Sequence, residues 1–149
     1  MNRELIATTS ISIHATDVEV WDALTNPAKI HHYLLKEALS SWDIGSPILF
    51  HGEWNGLHYT DKGVILEINP LRILSYSLWS SLSGTEDFED NYSHVSYHLA
   101  PFNDNTILVI TQDNLPTDAL VVQAEEYWMQ VGSRLKMVVE QNKGGSHSS

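Results

Sequence analysis

The chain has no cysteine, which removes disulfides as a source of stability and thiols as a source of chemistry. No apolar run approaches the ~20 residues that a membrane-spanning helix needs. The opening segment "MNRELIATTSISIH" has no apolar stretch of signal-peptide type. A cytoplasmic location is the expectation that fits these features. Basic residues are scarce: 8 Lys and Arg stand against 19 Asp and Glu, for a net charge of −11. The few cations do not cluster, and phosphate backbones and anionic lipid surfaces are bound by clustered Lys and Arg. Neither nucleic acid nor membrane is an expected partner. Nucleophile and phosphate-binding motifs are also missing, with no Gly-x-Ser-x-Gly, no glycine-rich phosphate loop and no His-Glu-x-x-His.

What is present is an ordinary globular mixture, 42% hydrophobic and 18% charged, over 149 residues. That length fits one domain, expected over residues 1–142, with 143–149 as a disordered tail. Histidine is abundant at eight, and protonating all of them would move the charge from −11 to −3. Self-repulsion then nearly vanishes, so solubility should be poorest near pH 5.

The order of elements is legible from periodicity. "LIATTSISI" alternates as a strand does. Asp17 is placed to cap a helix carrying Val18, Trp21 and Leu24, and Pro27 ends that helix and opens a second one, "PAKIHHYL". Strands are expected at Leu35–Leu39, Pro47–Trp54, Leu57–Asn69, Arg72–Ser80, Tyr92–Ala100 and Thr106–Asp113. Asn55–Gly56 is a type I′ hairpin signal, "NPLR" and "PFNDN" are further turns, and the acidic stretch between Ser80 and Asn91 is a loop. From Thr117 to about Gln141, Leu120, Ala124, Tyr127 or Trp128, Val131, Leu135 and Val138 recur at three and four, the buried face of one long helix. The fold class is therefore α+β, with a curved antiparallel sheet covered by the last helix and two short helices after the first strand. Such a curved sheet leaves a space that one helix does not fill.

Five segments in this order carry a resemblance: "VWDALTNPAKI", "WDIGSPILF", "GVILEINPLRILSYS", "VSYHLAPFNDNTILVITQDN", and Trp128 with Leu135. The chain resembles the START-like (SRPBCC) superfamily with its helix-grip fold, and within it the branch named after the activator of a heat-shock chaperone ATPase. The resemblance implies a cavity between sheet and terminal helix, with the second short helix at its mouth. It also implies a leucine where this chain has Gly132. Close packing of helix on sheet is the preferred explanation of that glycine, and an enlarged cavity is the other. The chaperone activators carry a second domain for which this chain has no room.

Cavity candidates are then Ile30, His31, Tyr33 and Leu34 from the second helix; the aromatics Tyr59, Tyr76, Trp79 and Tyr97; and Ala124, Trp128, Val131, Gly132 and Leu135 from the last helix. His31, His32 and Tyr33 offer hydrogen bonds, with plain exposure as the competing explanation for the histidines. In the hairpin "HGEWNGLHYT", His51, Glu53, His58 and Thr60 share one face, and Phe50, Trp54, Leu57 and Tyr59 the other. Two imidazoles and a carboxylate are a divalent-metal set by residue type. Their spacing matches no dedicated motif, so a hydrated outer face is preferred and no metal or cofactor is expected. His94, Ser96 and His98 alternate with Val95, Tyr97 and Leu99 and read as a solvent face. Three functions fit such a domain. The first is a binder or carrier of a hydrophobic or aromatic small molecule. The second is a protein-binding, co-chaperone-like module. The third is an aromatase- or cyclase-type enzyme using a cavity His or Tyr.

Overall fold

The computed structural model describes residues 5–145, with side chains to residue 141. Strand β1 (Ala7–Ile13) is followed by helices α1 (Asp17–Thr25) and α2 (Pro27–Leu34). Six strands come next: β2 (Glu37–Ser40), β3 (Pro47–Trp54), β4 (Leu57–Asn69), β5 (Ile73–Ser80), β6 (Ser93–Phe102) and β7 (Asn105–Gln112). Helix α3 (Asp118–Gly145) closes the chain. All neighbouring strands are antiparallel, in the order β1-β7-β6-β5-β4-β3-β2. The two short helices thus carry the chain from one edge of the sheet to the other.

Local chemistry sets most boundaries. Thr16, not Asp17, caps α1: its hydroxyl accepts from the Glu19 N–H, and the Glu19 carboxylate accepts from the Thr16 N–H in return. Asp17 sits one residue inside the helix and pairs with Arg72 at 3.0 Å. Asn26 caps α2 at Pro27, and Leu35 (φ 60°) ends it in the left-handed region. That turn explains why β2 starts at Glu37 and not at Leu35. Asn55 (φ 52°) and Gly56 (φ 80°) are both left-handed, as a type I′ turn requires, and the hairpin pairs Glu53 with His58 and His51 with Thr60. β6 runs on through Pro101 to Phe102, so the turn before β7 is shorter than "PFNDN" suggested.

Alternation in β6 and β7 buries Val95, Tyr97, Leu99, Leu108 and Ile110 and leaves His94 and His98 outside. The helix α3 lays Trp128, Val131, Leu135 and Val139 onto this face. The last anchor is Val139, not Val138, and Leu120 is exposed, because the buried stripe starts lower on the helix than its apolar spacing implied. Polar side chains of α3 also serve the edge strand. Glu125 accepts from the Thr8 N–H, Glu140 accepts from the His14 N–H, and Lys136 donates to the Ser12 carbonyl. These contacts occupy backbone groups that an open edge would offer to another chain. The helix continues to Gly145, past the expected start of a tail at 143; residues 146–149 lie outside the described residues.

Gly132 is buried where α3 crosses β1. A Cβ there would meet Ile11 Cγ2 at 3.5 Å, an ordinary contact. The close-packing explanation of this glycine therefore fits, yet alanine also has room. We expect Gly132→Ala to stabilise the protein by up to ~1 kcal/mol through helix propensity. Gly63→Ala should do the reverse, costing more than ~2 kcal/mol, since its Cβ would fall 1.6 Å from the Ser77 carbonyl oxygen. Urea denaturation of both variants checks the pair, and a destabilised Gly132→Ala would contradict this packing.

Candidate functional site

Helix α3 leans on β1 and α2, and the far part of the curved sheet, around Tyr59 and Leu78, is only partly covered. A cavity of about 260 Å³ occupies that gap. β3, β4 and β5 supply Phe50, Tyr59, Asp61, Tyr76, Leu78 and Ser80 to its wall; α3 supplies Tyr127 and Trp128. Leu34, Lys36, Leu82 and Gln112 complete it. The volume falls just short of the ~300–1,000 Å³ common for ligand pockets, which sets the scale of a guest at a small molecule. Five of the twelve lining residues are aromatic, Phe50, Tyr59, Tyr76, Tyr127 and Trp128, and rigid rings order at low entropic cost.

The wall is built by strand alternation and two local devices. Tyr59 stands opposite Gly52, and its ring lies across the space a side chain there would fill: a Cβ on Gly52 would be 2.4 Å from the ring. Asp61 is two residues further along β4, on the same face, between Phe50 of β3 and Ser80 of β5. The left-handed Leu35 throws its own side chain outward and turns the next residue, Lys36, inward.

Lys36 and Asp61 meet inside the cavity wall, Nζ to Oδ2, at 2.6 Å, with side chains only 14% and 5% exposed. The ammonium also faces the rings of Tyr59 and Tyr127, 5.6 Å and 5.8 Å from their centroids. Burial alone would pull the Lys36 pKa down, but the fields of Tyr127 and Asp61 and the hydrogen bond to Asp61 outweigh it and hold the amine charged. Other polar groups in and around the wall pair with one another. Tyr76 and Tyr97 share a hydroxyl–hydroxyl bond of 2.7 Å, and Trp128 Nε1 donates to Gln112 Oε1 at 2.8 Å. Burial raises the pKa of the Tyr33, Tyr76 and Tyr97 phenols.

The residues singled out in the sequence separate into three groups. Leu34, Tyr59, Tyr76 and Trp128 line the cavity. Ile30, Tyr33, Tyr97, Val131 and Leu135 are buried in the core around it, Ala124 packs on that core, and Gly132 faces Ile11 on β1. The Tyr33 hydroxyl donates to the Ala23 carbonyl and so ties α2 to α1. Trp79 points elsewhere, stacking on Tyr92 and donating to Thr85. His31 is exposed and borders a shallow depression with His51, Glu53 and His58. Among the described residues no three His, Asp or Glu side chains are placed to hold a metal ion. Phe50 and Tyr59 face inward as alternation predicted, but Trp54 and Leu57 overhang at the hairpin tip and are exposed. Lys36 and Asp61 escaped notice. The signal for Asp61 was available, since it shares a face with Tyr59 in the hairpin pattern.

A family model described as Activator of Hsp90 ATPase homolog 1-like protein matches residues 14–140. The chain is similar to ChR145 from Cytophaga hutchinsonii, whose solution structure shares 36% identity at a TM-score of 0.82, over 97% of this chain and 99% of that one. CalU16 from Micromonospora echinospora is similar at 22% identity and a TM-score of 0.70, over 87% of this chain and 73% of that one. The Aha1 dimer from Colwellia psychrerythraea is similar at 16% identity and a TM-score of 0.71, over 91% and 96%. Among curated proteins no match to the chain is found.

Removing one member of the buried ion pair strands the other. Lys36→Ala or Asp61→Ala should each cost ~3 kcal/mol, whereas the double variant Lys36→Met/Asp61→Leu should fold within ~1 kcal/mol of the wild type. Denaturant midpoints test this, and equal losses in all three variants would contradict it. Lys36 and the buried tyrosines all have folded pKa values above their unfolded ones. Their contribution to stability is therefore complete below about pH 10 and declines as pH rises beyond it. Alkaline titration followed by tyrosinate absorbance should show Tyr33, Tyr76 and Tyr97 ionising only as the protein unfolds.

Proposed function

The chain belongs to the family described as Activator of Hsp90 ATPase homolog 1-like proteins, and from that premise we propose that it is a cytoplasmic binder or carrier of a hydrophobic or aromatic small molecule. The observation that carries the reading is the aromatic-walled cavity of about 260 Å³ between the sheet and α3. Burying apolar ligand surface there contributes ~25 cal/mol per Å² before the entropic costs of binding. The proposed contact residues are Leu34, Tyr59, Tyr76, Leu78, Tyr127 and Trp128.

The other two functions have less in their favour. A protein-binding module works through its surface and has no use for an unfilled interior. A cyclase-type reaction calls for a proton-moving group against the guest. No histidine among the described residues lines the cavity, and of the tyrosine and acidic groups that do, Tyr76 is engaged with Tyr97 and Asp61 with Lys36.

Leu78 is half-buried at the cavity wall, so a larger side chain there occupies the guest's space. Native mass spectrometry of the purified protein, before and after exposure to an apolar extract, should reveal an added small-molecule mass that is lost on denaturation. Leu78→Trp should fold normally and bind at least tenfold less of it. A bare chain mass under every condition would contradict the proposal.

A further inference from the structure

The cavity wall contains one fully buried polar atom without a partner. Among the described residues, Asp61 Oδ1 is the buried side-chain oxygen or nitrogen with no hydrogen-bond partner. Its sister oxygen, Oδ2, is held by Lys36 at 2.6 Å. The carboxylate is nine-tenths buried and borders the cavity. Leaving such an acceptor unsatisfied costs free energy comparable to a lost hydrogen bond, more for a charged group. The wall therefore favours a guest that brings a donor to this atom.

The surroundings narrow the class of guest. The Lys36 ammonium is already committed to Asp61 and to the faces of Tyr59 and Tyr127. An anionic guest would approach the carboxylate at a cost, and a cationic one would meet the ammonium beside it. A neutral donor meets neither penalty. We propose that the molecule bound here is an aromatic compound carrying a neutral hydroxyl or N–H group, which donates to Asp61 Oδ1 while its ring lies among Phe50, Tyr76 and Trp128. This inference rests on the cavity being the binding site.

The test compares isosteric pairs in which a hydroxyl replaces a methyl group: para-cresol against para-xylene, and a naphthol against the matching methylnaphthalene. Transfer from water alone favours the hydrocarbon of each pair, because a buried hydroxyl without a partner is penalised. Titration calorimetry on the full chain should show the hydroxyl compound binding about ten- to hundredfold more tightly, the range of a charge-assisted hydrogen bond. In Lys36→Met/Asp61→Leu the hydrocarbon should still bind and the preference should vanish. Equal binding within each pair by the wild type would overturn the inference, with Asp61 served by water alone, and leave the cavity reading intact. A preference that survives in the double variant would also overturn it, since the donor would then be read elsewhere. If no member of either pair binds, the cavity reading and this inference fall together.

Discussion

The structure depends on how a single helix is seated. α3 presents one apolar stripe, Trp128, Val131, Leu135 and Val139, to a seven-stranded sheet much wider than itself. It cannot cover the whole concave face. Its position is decided at one edge, where Gly132 admits Ile11 and where Glu125, Lys136 and Glu140 reach the backbone of β1. Arg134 adds a hydrogen bond to the Tyr33 carbonyl at the end of α2. With the helix fixed there, Ile48, Ile65 and Leu74 are covered but the surface around Tyr59 and Leu78 is not, and the cavity is what remains there.

That remainder is not left as bare apolar surface. An aspartate and a lysine stand within it, although charged side chains are seldom buried. A buried ion pair is seldom worth more to stability than the apolar residues that would replace it. What the pair does supply is a charged acceptor at a defined point of the wall, the feature on which the proposed selectivity rests. The pair is also well supported. Asp61 lies between two paired strands, and Lys36 leaves a rigid left-handed turn, so neither side chain has freedom to drift. Preorganised polar groups of this kind discriminate between ligands more strongly than apolar contacts do.

Membership of the family accounts for the scaffold and leaves the guest open. The low-identity likenesses to CalU16 and to the Aha1 dimer speak to the fold alone. One fold carries several functions, so function has to be argued from the site. In this chain the lining is rich in aromatics and partly tied by its own hydrogen bonds, and Asp61 Oδ1 is its one fully buried polar atom without a partner. Among the described residues no helix is long and apolar enough to cross a membrane.

The sequence by itself determined the element order, the hairpin register at Asn55–Gly56 and the inward face of β6. These rest on local rules, the period of two, the period near 3.6 and the chemistry of turns, which act over a few residues and leave a readable trace. It also named Leu34, Tyr59, Tyr76 and Trp128, which line the space between sheet and helix. Tertiary structure alone decided the rest. Trp79 carries the same aromatic signal as Tyr76, yet it stacks on Tyr92 outside the site. Val139 displaced Val138 as the last anchor, because the helix phase is set by the sheet it meets. Lys36 and Asp61 are 25 residues apart in sequence, and each alone reads as an ordinary surface charge. Their meeting requires the crossover from β1 to β2, the left-handed turn at Leu35 and the pairing of β3 with β4 at once. No local pattern encodes that coincidence, since it is a property of the closed sheet and not of any segment within it.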